Sequence, residues 1–346
     1  MNGLTGSVFR IAVIATMAVS CISLFPLGAA GKEAAKAEQM NKHQIYIERK
    51  NLFEQMSALT GIPWYYLAAV DQYERTLTIA NRKKRPEAQG LIAIYFPPEQ
   101  WAGALNPDPD DRSMASIAFF NGFGKDGDGD GYADRTNDAD LLYSMADFIL
   151  KQGTSWDDLR IGMWNYYHNS RSVQRIEQFA KIYAEMGTLD LDKHVFPLPV
   201  NSNHAYRSTW GAGRNWGGYR IHEGTDIFAG YGVPVRSTSY GVVEIKGWNR
   251  YGGWRIGIRD IHNVYHYYAH LSGYSKNIHA GYVVKPGDVV GWVGSSGYGK
   301  PGTQGKFPPH LHYGLYRDSG WSEWPFDPYP YLVKWEREER MNKRKK

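Results

Sequence analysis

Between residues 187 and 196 the chain changes its period. Before that point apolar residues recur at helical spacing and the runs end in glycine. IERKNLFEQMSALTG is the first run, and IPWYYLAAVDQYERTL restarts with a proline in its first turn. DADLLYSMADFILKQG and SVQRIEQFAKIYAEMG follow. After that point the texture is short β-branched and aromatic runs separated by glycine: VPVRSTSYGVVEI, WRIGIRDI, VYHYYAHL, DVVGWVG and HLHYGLY. At 346 residues the chain is long enough for two domains, each with its own core. The expectation is a multidomain protein, with a mainly α unit over residues 38–190 and an all-β unit over residues 196–333. The boundary falls in LDLDKHVFPLPVNS, and no internal repeat is evident.

Charge narrows the possible partners. The formal net charge is +5, but residues 334–346 hold seven basic and three acidic residues and so carry +4 of it. The body is therefore near neutral and lacks the basic patch that a nucleic-acid footprint needs. The basic tail reads as a solvated helix end that can touch anionic lipid or wall polymer. The only cysteine, Cys21, lies in an N-terminal apolar run, so no disulfide and no thiolate ligand serves the rest. Any metal site must use histidine and carboxylate, and eight of the eleven histidines lie after residue 200.

The N-terminal run IAVIATMAVSCISLFPLGAAG is uncharged between Arg10 and Lys32. It is long for a signal-peptide core and just long enough, at about 20 residues, to cross a bilayer. Ala29, Ala30 and Gly31 still offer a cleavage site, so residues 1–31 read as a signal peptide or a membrane anchor. AVSC is a poor lipid-attachment match, because apolar residues continue past the cysteine. Export follows either way, and a buried N-terminal helix is disfavoured by the lack of a polar face.

Residues 307–315 read FPPHLHYGL. On a strand His310, His312 and Gly314 share one face while Leu311 and Tyr313 line the other. Two such imidazoles serve as two metal ligands, as a ligand and a proton carrier, or as an unrelated surface pair. Upstream, HEGTDIFAG sets His222 and Asp226 four apart at the start of a strand, with Gly224 leaving room between them. His222, Asp226 and one histidine of the HxH pair form an N,N,O set. Zn²⁺ accepts such a set while keeping a fourth position for water, and bound water in zinc enzymes titrates near about 7. A third element, YAHL, places His270 on the strand face of Tyr268 and His266 and adds a group able to move protons or hold an oxyanion.

The stretch from Phe196 to Leu332 resembles the lysostaphin/LytM-type zinc endopeptidases, which cut peptidoglycan peptides. TWGAGR, HEGTD, GVPVRSTSYGVV, YYAHLS, VVKPGDVVGWVGSSG, PHLHYGL and FDPYPYL stand in that family's order. The resemblance implies a LytM-type (duplicated hybrid motif) β fold. It also implies zinc on His222, Asp226 and His312, with His270 and His310 activating water or holding the oxyanion. Which of these two is the base stays open. YGKPGTQGKFP, residues 298–308, is longer than the family's usual link; it is expected to wall the cleft and leaves the bond cut undetermined. Trp216, Tyr219 and Trp248 line that cleft or pack in the core. The rival is a metal-free LytM-like module that binds wall polymer or activates another hydrolase. Retention of all three ligands and both helper histidines argues against it.

In the first half, ALTGIPWYYLAAVDQYERTL resembles the helix that carries the catalytic acid of lysozyme-like lytic transglycosylases, which implies that role for Glu74. MWNYYHNSRSVQRIEQFAKIYAE is similar to that family's closing segment, and GKDGDGDGYADRTNDADLLYSMADFIL to its acidic loop and helix. Arg75 stands where the family has a small hydroxyl residue, and a cation there lowers a carboxyl pKa and works against an acid role. The bland alternative for Glu74 is a surface glutamate paired with Arg75 or a neighbour. Asp126, Asp128, Asp130 and Asp134 have EF-hand-like spacing, but position twelve is Asn137 in place of glutamate, so Ca²⁺ and a solvated acidic turn are both open.

The layout of anchor, helical unit and zinc domain is similar to the LytH-type peptidases of endospore formers. That likeness implies an exported enzyme on peptidoglycan that cuts the L-Ala–D-Glu bond in spore cortex maturation. A bifunctional hydrolase that also cleaves glycan is the further alternative.

Overall fold

A computed structural model describes residues 27–80, 86, 88, 90–215 and 219–344, with side chains from residue 41 onward. The apolar run up to residue 26 lies outside the described residues. Among them no helix is long and apolar enough to cross a membrane.

The helical part contains α1 (Leu27–Thr60), α2 (Trp64–Ala80), α3 (Pro98–Trp101), α4 (Met114–Phe119), α5 (Asp138–Leu150), α6 (Trp156–Tyr167) and α7 (Ser170–Met186). Local chemistry sets the ends. The Asn137 side chain caps α5 by accepting from the Ala139 and Asp140 amides. Ser155 and Asp158 cap α6 reciprocally. MWNYYHNSRSVQ spans two helices, because His168 adopts a left-handed conformation (φ 47°) and ends α6.

The β part follows as β1 (His204–Tyr206), β2 (Gly213–Arg214), β3 (Arg220–Ile221), β4 (Thr225–Ala229), β5 (Pro234–Arg236), β6 (Gly241–Asn249) and β7 (Gly253–Asp260). It continues with β8 (Val264–Tyr274), β9 (Val283–Val284), β10 (Val289–Val293), β11 (His310–Asp318) and β12 (Glu323–Phe326), and ends in α8 (Tyr329–Lys343). The main sheet runs β1-β4-β11-β8-β7-β6-β9, with β10 joining β5 to β8 and β12 flanking β11. All of these pairs are antiparallel, and β2 and β3 form a separate ribbon. The period-2 runs explain this. Leu311, Tyr313 and Leu315 of β11, Ile227 of β4 and Tyr268 of β8 all turn to one buried core.

Ile45–Lys346 form one compact unit. The helical core takes in Val242, Ile261 and Val283 of the β part. Leu189 and Leu191 of the connecting segment sit in that core, while Phe196, Leu198 and Val200 sit in the β core. Polar groups stitch the seam: Gln72 donates to the Ile261 carbonyl (3.0 Å), and buried Arg175 pairs with Asp318 (3.0 Å) and with Glu244. The basic tail continues α8, whose inner face is docked. Leu332 and Trp335 are buried, Glu336 accepts from the Tyr206 hydroxyl (2.7 Å), and Glu339 pairs with Arg236 (2.9 Å). Only its outer face is solvated.

Candidate metal centre

β4 and β11 are paired with Asp226 directly opposite His312, so both side chains stand on the same sheet face, away from the Tyr268–Tyr313 core. His222 comes from the loop between β3 and β4. Three donor atoms converge there. His222 Nε2 lies 2.9 Å from His312 Nδ1, His312 Nδ1 lies 2.9 Å from Asp226 Oδ1, and His222 Nε2 lies 3.1 Å from that same oxygen. Gly224 makes this approach possible, since a Cβ there would meet the His312 ring at 2.6 Å.

The tautomers follow from carbonyl acceptors, which accept but cannot donate. His222 Nδ1–H donates to the Thr209 carbonyl (2.9 Å), leaving a lone pair at Nε2. A ring lone pair 3.1 Å from a carboxylate oxygen needs a proton or a cation between them. The N,N,O set therefore fits a divalent ion on its own chemistry. Burial opposes ionisation of Asp226, yet hydrogen bonds with His222 and His312 hold its carboxyl far below the usual range. Arg214 also donates to Asp226 Oδ2 at 2.5 Å.

His310 stands beside the set on β11, its Nε2 3.7 Å from Asp226 Oδ1 and its Nδ1–H on the Pro308 carbonyl (2.8 Å). That Nε2 is buried with no hydrogen-bond partner. His270 donates Nδ1–H to the Ser296 carbonyl (2.7 Å), and its ring centroid lies 4.8 Å from that of His310. Burial pushes both imidazoles below their ordinary pKa, His270 furthest, with His310 and His312 adding to the effect there.

The route by which His270 arrives differs from strand alternation. Tyr268 and His266 lie on the core face, where His266 hydrogen-bonds the Tyr313 hydroxyl (2.7 Å) and Asp260 (3.0 Å). His270 does not share that face. Its φ of 63° and a slip in the β7–β8 register between Trp254 and Ile256 turn it over to the metal face.

A cleft of about 220 Å³ opens on this face, walled by Arg214, Arg220, Glu223, Tyr251, Tyr298 and Tyr316 beside the histidines. Tyr298 comes from the 298–308 segment expected to form a wall. Trp216 lies outside the described residues. Tyr219 is exposed, and Trp248 supports the wall from behind, donating to the Gly299 carbonyl (3.2 Å) and packing on Trp254. Sequence reading missed Arg220 and Tyr298; the signal available was Arg220 standing two residues before the ligand His222.

The other expected site residues stand apart from these. Glu74 is fully buried on α2. Arg75 does not pair with it; its guanidinium turns to Asp71 (3.3 Å) and the Leu91 carbonyl (2.8 Å). In the acidic loop the convergent set is Asp126, Asp128 and Asp140. Asp130 and Asp134, chosen by spacing, are not in it. Asp130 accepts from the Tyr132 amide (2.8 Å), and Asp134 from Thr136 with its other oxygen on Arg112 (3.0 Å). Asn137, at the twelfth position, caps α5 and donates to Asp128 (2.6 Å). Calcium is not supported: Asp130 and Asp134 stand outside the convergent set, and the carboxylates of Asp126 and Asp140 serve as acceptors for backbone amides, Gly129 and Gly131 on Asp126, Gly127 and Asp134 on Asp140.

Residues 220–328 match the model of peptidase family M23. An L-Ala–D-Glu endopeptidase of Bacillus subtilis (strain 168) is 57% identical over 300 residues, covering 87% of this chain and 92% of that protein. Lysostaphin of Staphylococcus staphylolyticus is 38% identical over 114 residues, 32% of this chain and 22% of its own length. Among solved structures, the catalytic domain of lysostaphin from Staphylococcus simulans is 31% identical with a TM-score of 0.31, over 38% of this chain and 93% of that one.

Proposed function

The chain belongs to peptidase family M23, and from that premise we propose that it hydrolyses the L-Ala–D-Glu amide of peptidoglycan peptides with zinc held by His222, Asp226 and His312. The observation that carries this reading is the convergence of two imidazole nitrogens and one carboxylate oxygen beside two further histidines. The choice of bond rests on the relative that matches over nearly its whole length.

Bound there, the ion supplies Lewis acidity to the scissile carbonyl and brings a water toward ionisation at neutral pH. The chain's own groups do the rest. Carbonyl acceptors fix Nδ1–H of His270 and His310, so Nε2 of each is the basic nitrogen, and burial keeps both rings neutral at pH 7. One takes the proton of the attacking water at Nε2 and, in the imidazolium form so created, can face the developing oxyanion before it returns that proton to the leaving amine. The metal-free module is disfavoured because nothing in this site has lost a donor.

For the helical half we favour positioning on the wall polymer over glycan cleavage, on the full burial of Glu74. Anhydromuramic products that vanish in Glu74→Gln would reverse that choice. Export, retention at the membrane through the N-terminal run, and a place in spore cortex maturation are carried by likeness of layout. Cell fractionation and the timing of expression test them.

The decisive experiment measures bound metal and identifies by mass spectrometry the fragments released from peptidoglycan, with His312→Ala in parallel. About one zinc per chain and new D-Glu amino termini, both lost in the variant, are expected. Release that persists in His312→Ala, or new termini at another residue, would overturn the reading.

A further inference from the structure

Asp226 divides its two oxygens between different tasks. Oδ1 faces the imidazole nitrogens, 2.9 Å from His312 Nδ1, 3.1 Å from His222 Nε2 and 3.7 Å from His310 Nε2. Oδ2 accepts from Arg214 Nη2 at 2.5 Å. The other arm of that guanidinium, Nη1, donates to the Tyr298 hydroxyl at 3.0 Å. Arg214 is thus held at both arms, by a ligand carboxylate 12 residues on and by a phenol 84 residues on. Its side chain is 22% exposed and that of Asp226 13%, so the pair is shielded from the solvent screening that makes surface ion pairs weak.

One ribbon carries both the arginine and a ligand. Arg214 lies on β2, and β3 leads directly into His222, whose backbone continues the pairing. The His222 amide donates to the Ala212 carbonyl (2.9 Å), and its carbonyl accepts from the Gly211 amide (3.0 Å). Whatever sets this ribbon therefore sets the His222 donor and the grip on Asp226 together. Tyr298 adds a link to the reacting side, stacking on His270 with centroids 5.9 Å apart and an interplanar angle of 18°.

We propose that Arg214 is a positioning residue of the metal centre: it holds Oδ2 of Asp226 so that Oδ1 alone is offered to the ion, and the Tyr298 hydroxyl fixes the guanidinium that does so. This rests on the zinc reading given above. A free carboxylate turns about its last bond with little preference and can give an ion one oxygen or both. Both at once would take the position that a catalytic zinc keeps for water. A charge-assisted hydrogen bond on Oδ2 removes that choice. Loss of such a partner changes metal affinity by about 10- to 100-fold.

The test titrates the metal-free full chain with Zn²⁺ against a chromophoric chelator. The same chain is also loaded with Co²⁺, whose visible absorption reports how many donors surround it. Arg214→Gln is expected to weaken zinc binding by about 10- to 100-fold and to shift the cobalt bands, while the circular dichroism stays that of the unaltered protein. Arg214→Lys, which keeps the charge and loses the fork, recovers part of the affinity. Tyr298→Phe keeps the ring on His270, removes the hydroxyl and weakens zinc binding less than Arg214→Gln does. Zinc affinity within about twofold of the unaltered protein in Arg214→Gln, with the cobalt bands in place, overturns the assignment and leaves the zinc reading intact. Tighter zinc binding in that variant overturns it too, since the guanidinium would then compete with the ion for the carboxylate. Failure of the unaltered protein to bind zinc overturns the zinc reading itself, and the Arg214 assignment with it.

Discussion

Among the described residues, two places draw three ligating groups into a space small enough for one ion, and they differ in what the backbone has already done with the donors. In the acidic loop, amides of Gly127, Gly129, Gly131 and Asp134 point into the carboxylates of Asp126 and Asp140. Those carboxylates shape a turn, and their charge is answered by N–H dipoles. In the β part, the His222 and His312 nitrogens and the Asp226 oxygen face one another, while the backbone takes only the far nitrogen of His222. Proximity of acidic groups is thus a poor guide to a metal site. The partners of the donors are the better one: the loop carboxylates shape a turn through backbone amides, whereas the lone pair of His222 Nε2 stands 3.1 Å from a carboxylate oxygen.

The sharpest way to break that contrast is His312→Ala, which is expected to abolish metal binding and lower peptide release by at least about 10⁴-fold. Metal analysis and fragment release check it together. His270→Gln and His310→Gln come next. Each should keep the metal and lower kcat by about 10²- to 10⁴-fold, the range for loss of a proton-transfer group. Steady-state kinetics with metal quantification separates this from ligand loss.

Asp140→Asn probes the other region. It is expected to leave metal content and peptidase activity unchanged and to cost about 1–2 kcal/mol of stability, since two partly buried amides lose a charged acceptor. Denaturant unfolding measures it. A rise in Tm with millimolar Ca²⁺ that Asp140→Asn removes would erase the distinction between the two regions.

An effect seen only in acid belongs to the buried Asp260–His266 pair behind the site. Burial opposes the Asp260 charge, but the hydrogen bond from His266 brings its pKa down to about 2 from 3.8. A carboxyl depressed by folding contributes stability above its unfolded pKa and loses it as pH falls through the folded value. Unfolding free energy should therefore decline by about 2 kcal/mol between pH 5 and pH 2, and Asp260→Asn should flatten that decline.

Much of this was legible beforehand where local rules govern. The HxH alternation put His310 and His312 on one face, and the β runs and glycine-ended helices were readable from their periods. His270 was misplaced because strand alternation takes a uniform backbone for granted, and a single left-handed residue reverses it. Asp140 was overlooked since it belongs to the helix after the loop, outside any loop spacing. The connecting segment, with its prolines and polar residues, read as a domain boundary. Its leucines and Phe196 instead enter two cores, a matter of what lies opposite them.

The sequence by itself determined which donors exist: no thiolate ligand after residue 200, histidines crowded into the second half, and an HxH on a strand beside an HxxxD. The tertiary structure decided which of them meet and in what state. Register pairs Asp226 with His312 across 86 residues. The carbonyls of Thr209 and Ser296, from other loops, choose the tautomers of His222 and His270, and a wall at residue 298 brings a phenol between two arginines. These outcomes depend on hydrogen-bond partners remote in the chain, which no local period encodes.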